Sequence, residues 1–433
     1  MTTRDQATTS RPDAPTRERP SRRRLLPYLL ALGPGLLAAN AGNDAGGIAT
    51  YASAGASYGY RFLWVMIIIT VFLGIVQEMC ARLGTVTGKG FSDLVRENFS
   101  LRMTALILLA LFIANFGLII SEFVGIGAGA ELFGINRYIA VPAAAAVMWL
   151  LITRGSYNSV EKIFLLLTLA FFTYIGAAFL AKPSWGMVAR QTVQPTIQFD
   201  PAYLTLLIAL IGTTITPYMQ LYVQSSVVDK GMVIEAYRYT RFDVWSGVIF
   251  SDLISAFIII ATAATLFPIK RSVETAADAA LALQPIAGAY AEYLFGLGLL
   301  GASLLAAGVL PLATTYMLSE ALGIERGVSR SWQEAPIFQG VFTALLLLGA
   351  ALALIPDIPV IQVLIGVQVL NGLLLPIELL AILRLVNNRE LMGNYVNHGS
   401  YNVLAWGVAV IVSMLSLTLI VITVLGWFGV NLI

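Results

Sequence analysis

An acidic residue, Asp44, lies in the middle of a long apolar segment. The surrounding sequence, ANAGNDAGGIA, interrupts the apolar run with asparagines and glycines on both sides of the carboxylate. A carboxylate at the centre of a bilayer costs roughly 2.5–3.5 kcal/mol, so such a side chain faces a cavity or a partner and not lipid. Two roles remain open for Asp44: a ligand for a cation, or an acceptor for backbone amides that are freed where a helix breaks.

A second interruption, IGTTITPYMQ, lies within another apolar segment, where Gly212, three threonines and Pro217 disrupt the helix pattern. Irregular backbone at membrane depth survives only where it lines a cavity or is buried in protein. Paired interrupted segments indicate the binding site of a transporter. The unwound carbonyls of Ala41 and Thr213 would add oxygen ligands to Asp44. Neither segment has a lysine or arginine at similar depth, which favours the cation-ligand role.

The composition of the chain indicates the class of protein in which these residues lie. Of 433 residues, 58% are hydrophobic and only 12% are charged, and the mean hydropathy is +0.81; soluble domains carry roughly 25% charged residues. The single cysteine, Cys80, excludes an intramolecular disulfide, and the single histidine, His398, leaves no Cys/His zinc cluster and no Ser-His-Asp triad. We expect a membrane protein that is not an enzyme, has no cofactor and binds no nucleic acid.

Eleven apolar segments are long enough to cross a bilayer, which takes about 20 helical residues, so the fold class is an all-α polytopic membrane protein. The first segment also resembles a secretory signal peptide, but apolar sequence continues past Asp44 and further spans follow, which favours a membrane helix. The predicted spans are 26–57, 61–83, 103–131, 137–153, 161–181, 201–228, 243–267, 291–322, 334–355, 359–386 and 402–430.

The distribution of basic residues predicts the orientation. Residues 1–24 contain seven arginines and few apolar residues, and we expect a disordered basic tail there. If the N-terminus is cytoplasmic, the tail and the inner loops hold twenty of the 26 lysines and arginines, and the outer loops hold six. The positive-inside rule therefore predicts a cytoplasmic N-terminus and, with eleven spans, an external C-terminus in a bacterial-type cytoplasmic membrane.

Over most of spans 1–10 the chain resembles the Nramp divalent-metal transporters. The resemblance is carried by GPGLLAANAGNDAGGIATYASAGASYGYRFLWV with ARLGTVTGKG, by IGTTITPYMQLYVQSSVVD, by LFGLGLLGASLLAAG and by VQVLNGLLLPIELLAILRLVNNRELMGNYVN. It implies a LeuT-type inverted repeat (5+5) with alternating access, in a transmembrane domain over 25–433. The repeats would cover about 26–181 and 201–386, followed by an extra helix at 402–430.

The resemblance also shows where this chain departs from the family. The family's Asp-Pro-Gly-Asn motif on helix 1 falls on residues 44–47, where only the Asp and the Gly are retained and Gly47 replaces an amide side chain. Its Met-Pro-His motif on helix 6 falls on residues 216–218, so Thr216 stands where the family has a metal-binding thioether. The Nramp-related magnesium transporter branch shares these departures.

Further positions carry over from helices 3, 6 and 10. The helix-10 glutamine matches Gln368, with Asn371 one turn further on. The helix-3 acidic pair, which serves proton movement in the family, matches Glu122 and Gly125, so half of it is lost. The helix-6 histidine region places Gln224 in the corresponding position. The residues predicted to form the metal site are Asp44, Ala41, Gly47, Thr213, Thr216, Gln368 and Asn371, with Asn43 as a further amide; those predicted to form a proton path or gate are Glu122, Tyr218 and Gln224.

The predicted donor set favours magnesium. A thioether selects soft transition metals, whereas carboxylate, carbonyl, hydroxyl and water oxygens suit Mg²⁺, with Mn²⁺ as a second acceptable cargo. Mg²⁺ keeps several waters when bound, and Gly47 would leave room for them. Because the membrane region lacks histidine and half of the acidic pair, we expect uptake driven by the membrane potential without protons.

Other interpretations stay open. A proton-coupled Mn²⁺/Fe²⁺ transporter of ordinary Nramp type is weakened by Gly47, Thr216 and Gly125. An amino-acid transporter of the same architecture would have its carboxylate substrate repelled by Asp44. A membrane sensor or scaffold would not need paired broken helices. Asp252 and Glu378 are expected to be hydrogen-bonding partners in helix packing.

Overall fold

The structure, a computed structural model, describes residues 34–154, 172–198, 200–232, 234–281, 291–328 and 330–427, with the single residues 166 and 288. Within these ranges it is helical and has no strands. The helices are α1 (Pro34–Ala41), α2 (Ala45–Tyr58), α3 (Leu63–Thr87), α4 (Phe91–Asn98), α5 (Leu101–Glu131), α6 (Arg137–Arg154), α7 (Phe172–Leu180), α8 (Trp185–Val193), α9 (Pro201–Thr214), α10 (Pro217–Asp229), α11 (Tyr237–Thr265), α12 (Ala276–Leu281), α13 (Ala291–Leu322), α14 (Pro336–Ala353), α15 (Val360–Val386), α16 (Arg389–Met392) and α17 (Gly399–Trp427).

The predicted all-α polytopic fold is confirmed. In the described ranges, nine stretches are long and apolar enough to cross a membrane; one of them, Ala45–Thr87, runs through a 3-10 turn and so joins the end of the first predicted span to the second. Every predicted span except the fifth has a helix at its position, and for the fifth only α7 falls within the described part. The tail at 1–24, the beginning of the first span and the end of the last lie outside the described residues.

The first interrupted segment is held by the long helix α11. The carboxylate of Asp243 on α11 accepts hydrogen bonds from the N–H groups of Gly35 and Leu36, at 2.6 and 3.2 Å, which satisfies the first amides of α1. At the break itself, the Asn43 amide donates to Ser251 Oγ at 2.9 Å, and its oxygen accepts from Ser255 Oγ at 2.7 Å. The break therefore has its own hydrogen-bonding partners and is a fixed feature of the fold.

The second interrupted segment ends at a proline. Pro217 is the first residue of α10, where its missing N–H is tolerated, and Ile215 and Thr216 leave the helical conformation before it. The Thr216 hydroxyl donates to the carbonyls of Gly212 and Thr213, at 3.0 and 2.6 Å. These are carbonyls that the end of α9 leaves without helical partners, so a local hydroxyl stabilises the interruption.

A close crossing of α9 and α15 brings the middle of α15, with Gln368, to the two breaks. A Cβ built on Gly212 would lie 2.1 Å from the carbonyl oxygen of Gln368 and 2.4 Å from the amide nitrogen of Gly372. Only glycine allows the two backbones to approach this closely, as at other membrane helix crossings. The crossing sets the depth of Gln368 relative to the break between α1 and α2.

Candidate metal-transport site

Asp44 is fully buried between α1 and α2 and caps the second half-helix. Its Oδ1 accepts a hydrogen bond from the N–H of Gly47 at 2.5 Å. The side-chain amide of Gln368 donates to both carboxylate oxygens, at 3.0 and 3.1 Å. Of the two roles left open by the sequence, the acceptor of a freed backbone amide is present in the structure. The same carboxylate also accepts hydrogen bonds from a side chain of a second helix, α15, and its role as a cation ligand stays a prediction.

Gln368 and Asn371 form a chain of amides that ends on this carboxylate. The Asn371 amide nitrogen donates to Gln368 Oε1 at 2.9 Å. Both side chains are fully buried, and Asn371 Oδ1 has no hydrogen-bond partner in the described part of the chain. The structure thus places Gln368 and Asn371, both on α15, next to Asp44 as predicted: Gln368 contacts it directly and Asn371 contacts Gln368. In this arrangement Gln368 presents its nitrogen, so a cation at Asp44 would require the amide to turn and present its oxygen.

Three oxygens converge on the face of Gly47 that carries no side chain. The nearest atoms to a Cβ built there would be the carbonyl oxygen of Gly42 at 2.7 Å, Thr213 Oγ1 at 2.9 Å and Asp44 Oδ1 at 3.1 Å. Thr213 Oγ1 is buried and has no hydrogen-bond partner within the described residues. We call this space, defined by Gly42, Asp44, Gly47 and Thr213, the oxygen cradle. It joins the two interrupted segments with oxygen donors alone.

Sequence reasoning identified these segments but not the atoms. It named the carbonyls of Ala41 and Thr213, whereas the atoms nearest to Gly47 include the carbonyl of Gly42 and the hydroxyl of Thr213. Ala41 is the last residue of α1, and the carbonyl of Thr213 accepts the hydroxyl of Thr216. The Thr216 hydroxyl is fully buried and caps α9. Its role as a metal ligand stays a prediction.

Glu122 lies on α5, and its carboxylate contacts the beginning of α2 beside Asp44. Its Oε2 accepts from the N–H of Ala45 at 3.1 Å and its Oε1 from Ser121 Oγ at 3.2 Å, and the side chain is fully buried. Both carboxylates therefore accept amides of the first turn of one helix, where the dipole favours negative charge. A Cβ at Gly125 would lie 2.3 Å from the Cβ of Ala45, which explains why no second acidic side chain fits on this face.

The other two residues of the predicted path or gate, Tyr218 and Gln224, lie at different distances from the break. Tyr218 is fully buried in the first turn of α10, next to the break. Gln224 lies eight residues beyond Thr216, about 12 Å along the helix. Its amide nitrogen donates to the carbonyl of Lys89 at 3.0 Å, in the link that follows α3. Gln224 is therefore not brought to the oxygen cradle.

A thioether that the sequence analysis did not consider lies at the first break. The methyl carbon of Met219 occupies the space beside Gly42, since a Cβ there would lie 1.8 Å from it. The sulfur accepts a hydrogen bond from the Gln77 amide at 3.7 Å. A signal for this contact was present in the sequence, because Gly42 and Met219 each belong to one of the two interrupted segments.

Asn43, which was considered as a further ligand, forms hydrogen bonds with Ser251 and Ser255 instead.

Two buried carboxylates that were expected to be packing partners lie outside the cradle. Neither oxygen of Glu378 has a hydrogen-bond partner in the described residues, so its prediction as a packing partner was wrong. Asp252 forms a side-chain hydrogen bond with Thr70 of α3, as expected of a packing partner, and its other oxygen has no partner in the described residues. Within the described ranges there is no group of three or more His, Cys, Asp or Glu side chains that could hold a metal. A cation at the cradle would therefore be bound by one or two carboxylates and by neutral oxygens.

Two broken helices that meet at a buried carboxylate, inside an all-helical membrane domain, define the class of secondary transporters. The sequence profile described as "Natural resistance-associated macrophage protein-like" matches residues 35–422. Because the match covers most of the chain, the protein belongs to the Nramp family.

Similar sequences and solved structures agree with this assignment. The chain is 26% identical over 421 residues to a divalent metal cation transporter MntH of Acidiphilium cryptum, covering 93% of this chain and 92% of that protein. It is 28% identical over 422 residues to MntH 1 of Pseudomonas aeruginosa, covering 92% of each. A manganese transporter structure from Eremococcus coleocola superposes with a TM-score of 0.77 at 20% identity, covering 96% of this chain and 91% of that one. The nucleobase-cation-symport-1 transporter MHP1 superposes with a TM-score of 0.52 at 14% identity, covering 90% and 92%.

These likenesses confirm the LeuT-type fold and a multi-pass membrane protein. The related proteins are metal transporters and not enzymes, which supports the expectation that this chain is not an enzyme. The cytoplasmic placement of the N-terminus and the limits of the two repeats stay predictions.

Proposed function

We propose that this protein carries a divalent metal ion across a bacterial cytoplasmic membrane by alternating access, with Asp44 as the central ligand. The observation that carries the proposal is the oxygen cradle, in which a carboxylate, a carbonyl and a hydroxyl from both broken helices surround one small space; the hydroxyl has no hydrogen-bond partner among the described residues. Helix segments that are interrupted at a binding site are the usual way in which transporters of this architecture expose carbonyls to an ion.

The contacts suggest how a cation would be accommodated. In the structure, the Gln368 amide nitrogen bonds to both oxygens of Asp44. A cation would displace it, and a half-turn of the amide would direct Gln368 Oε1 toward the ion. Asn371 donates to that oxygen, and its own oxygen has no partner in the described ranges, so it would turn with Gln368. The amide chain would then link metal occupancy in the cradle to the position of α15.

Four positions of this chain support Mg²⁺ as the cargo. Thr216 carries no sulfur, Gly47 adds no side chain to the cradle, and the donors of Asp44 and Thr213 are hard oxygens. Oxygen ligands suit Mg²⁺, which keeps part of its water shell and needs the corresponding space. Inward movement of two charges gains about 4.6 kcal/mol per 100 mV of membrane potential, at roughly 2.3 per charge, so uptake would require no second ion.

A proton-coupled Mn²⁺ or Fe²⁺ transporter is the second candidate, and the comparisons give it more support than they give magnesium. The similar sequences are named MntH, and the similar structure is a manganese transporter. Two contacts also favour it: the Met219 sulfur lies next to the first break, and Glu122 lies beside Asp44, where it could exchange a proton. Mn²⁺ accepts both oxygen and softer donors.

Uptake into proteoliposomes tests the proposal and separates the candidates. Mg²⁺ and Mn²⁺ entry would be measured under an inside-negative potential, with and without an inward proton gradient. The variant Asp44→Asn keeps the size of the side chain but removes its charge. The exposed Asp357 provides the control Asp357→Asn, which removes a charge on the link between α14 and α15.

The outcomes are distinct. We expect uptake that is lost in Asp44→Asn and retained in Asp357→Asn. Mg²⁺ entry that ignores the proton gradient would support the first candidate, and Mn²⁺ entry that is stimulated by protons would support the second. Absence of flux for both metals, with the protein folded and correctly inserted, would overturn the proposal and favour a sensor or scaffold.

A further inference from the structure

A groove on the outer surface of the helix bundle combines an apolar body with a basic end. It lies between α5, α15 and α17 and has a volume of about 770 Å³. Its walls include Met103, Leu106 and Leu380, each 44% to 50% exposed. Arg384, Asn387, Asn402 and Trp406 line it toward the end of α15 and the beginning of α17. Among the described residues that line it, none is acidic.

Arg384 is the unusual member of this set. Its guanidinium lies over the ring of Phe99, 5.5 Å from the ring centre, and the side chain is exposed. In the described part of the chain it forms no ion pair with a carboxylate, so nothing there neutralises its charge. A guanidinium offers five donors in a planar fork that matches a phosphate. The ring contact orients this fork and leaves its donors available.

The position of the groove restricts what can fill it. Exposed leucine and methionine side chains at the membrane-facing surface of a transporter are in contact with acyl chains. Trp406 marks the polar end of the groove, as tryptophans do at the boundary between hydrocarbon and headgroups. The positive-inside count predicts that this end faces the cytoplasm, the side on which basic pockets between membrane helices bind anionic headgroups.

We propose that this groove is a binding site for an anionic phospholipid, with an acyl chain against Met103, Leu106 and Leu380 and the phosphate on Arg384. A zwitterionic lipid would bring its own ammonium group next to Arg384, with no acidic side chain in the groove to receive it. An anionic lipid brings no such cation, so its phosphate can pair with the guanidinium. The amides of Asn387 and Asn402, joined by a hydrogen bond of 2.9 Å, lie beside the headgroup position.

Occupancy of the groove would connect three helices that also position the metal site. The groove is lined by α5, which carries Glu122, and by α15, which carries Gln368. It is also lined by α17, whose Ser416 hydroxyl donates to the carbonyl of Gly372 on α15 at 2.8 Å. A bound lipid would therefore stabilise the packing of these helices against one another. The proposal does not depend on which metal is carried.

Native mass spectrometry and thermal melting of the full chain in detergent test this inference. Phosphatidylglycerol would be compared with phosphatidylcholine of the same acyl chains. The variants are Arg384→Gln, which removes the charge, and Ala381→Trp, which fills the groove and keeps Arg384. The control is Arg389→Gln, at an exposed arginine on α16 that does not line the groove.

We expect the wild-type chain to retain phosphatidylglycerol in preference to phosphatidylcholine and to melt at a higher temperature with it. Arg384→Gln should weaken retention about fivefold, as expected for one basic residue at an anionic membrane surface. Ala381→Trp should abolish retention, and Arg389→Gln should leave it unchanged. Equal retention of the two lipids, or undiminished retention by both groove variants, would overturn the proposal.

Discussion

Substitution of Gly47 by alanine is the most direct test of the oxygen cradle. The added methyl group would lie 2.7 Å from the carbonyl oxygen of Gly42, 2.9 Å from Thr213 Oγ1 and 3.1 Å from Asp44 Oδ1. The hydroxyl and the carboxylate can rotate by a few tenths of an ångström, but a backbone carbonyl cannot rotate away alone. The methyl group would therefore occupy the space that we assign to the cation and would push its donors apart.

The expected magnitude follows from two opposing effects. Disturbing the groups that orient metal ligands typically lowers affinity 10–100-fold, which is about 1.4–2.8 kcal/mol of binding free energy. Alanine in place of a helical glycine stabilises the helix by up to about 1 kcal/mol, and the steric overlap costs about 1–3 kcal/mol. Stability should thus fall by no more than about 3 kcal/mol, whereas metal binding should fall at least tenfold.

Isothermal titration of Mg²⁺ and Mn²⁺, combined with thermal melting, measures both quantities. The matched control is Gly366→Ala, at another helical glycine, on α15 two residues before Gln368. A Cβ there would meet nothing within 4 Å, so the control should leave metal affinity unchanged. If Gly47→Ala binds both metals as tightly as the wild type while it remains folded, the cation does not use the cradle and our assignment of the site is refuted.

Three further substitutions probe the neighbouring contacts. Thr216→Met restores a thioether at the family position, so Cd²⁺ should compete more strongly with Mg²⁺ in binding assays; unchanged competition would place position 216 outside the site. Glu122→Gln keeps an acceptor for the N–H of Ala45, so the melting temperature should hold, while any proton stimulation of uptake should disappear; retained stimulation would exclude Glu122 as the proton carrier. Gly90→Ala would place a methyl group 1.9 Å from Glu320 Oε1 and should lower the free energy of unfolding by about 1–3 kcal/mol in denaturant melts, whereas wild-type stability would show that this contact is not formed.

The hydropathy pattern was sufficient to predict the membrane fold. Apolar runs of sufficient length predicted the helices, and the clusters around Asp44 and Pro217 predicted both breaks. The pattern works because a bilayer leaves few alternatives: every backbone amide must be bonded within a helix or buried in protein. The contact of Asp44 with Gln368 joins residues 324 positions apart, and only the family resemblance suggested it.

The atoms of the site could not be predicted in the same way. Whether Thr213 offers its carbonyl or its hydroxyl depends on how the end of α9 is capped, and here the Thr216 hydroxyl takes the carbonyl. Gln224 was matched by motif alone and lies about two helical turns beyond the break; its role in a proton path or gate stays a prediction. Glu378 was expected to have a hydrogen-bond partner, but none lies within the part of the chain that the structure describes.

The two carboxylates at the beginning of α2 bear on the choice between the candidate functions. The N-terminus of a helix favours anions and therefore opposes a cation bound beside it. Asp44 and Glu122 accept amides of this same turn and so place two acidic groups against that unfavourable field. If Glu122 acts only by its charge, Glu122→Gln should weaken metal binding at pH values where the carboxyl is ionised and should leave any proton movement unchanged. If Glu122 carries a proton, the substitution should instead abolish the proton entry that accompanies metal uptake. The same variant therefore distinguishes electrostatic support of an uncoupled cation from true proton coupling.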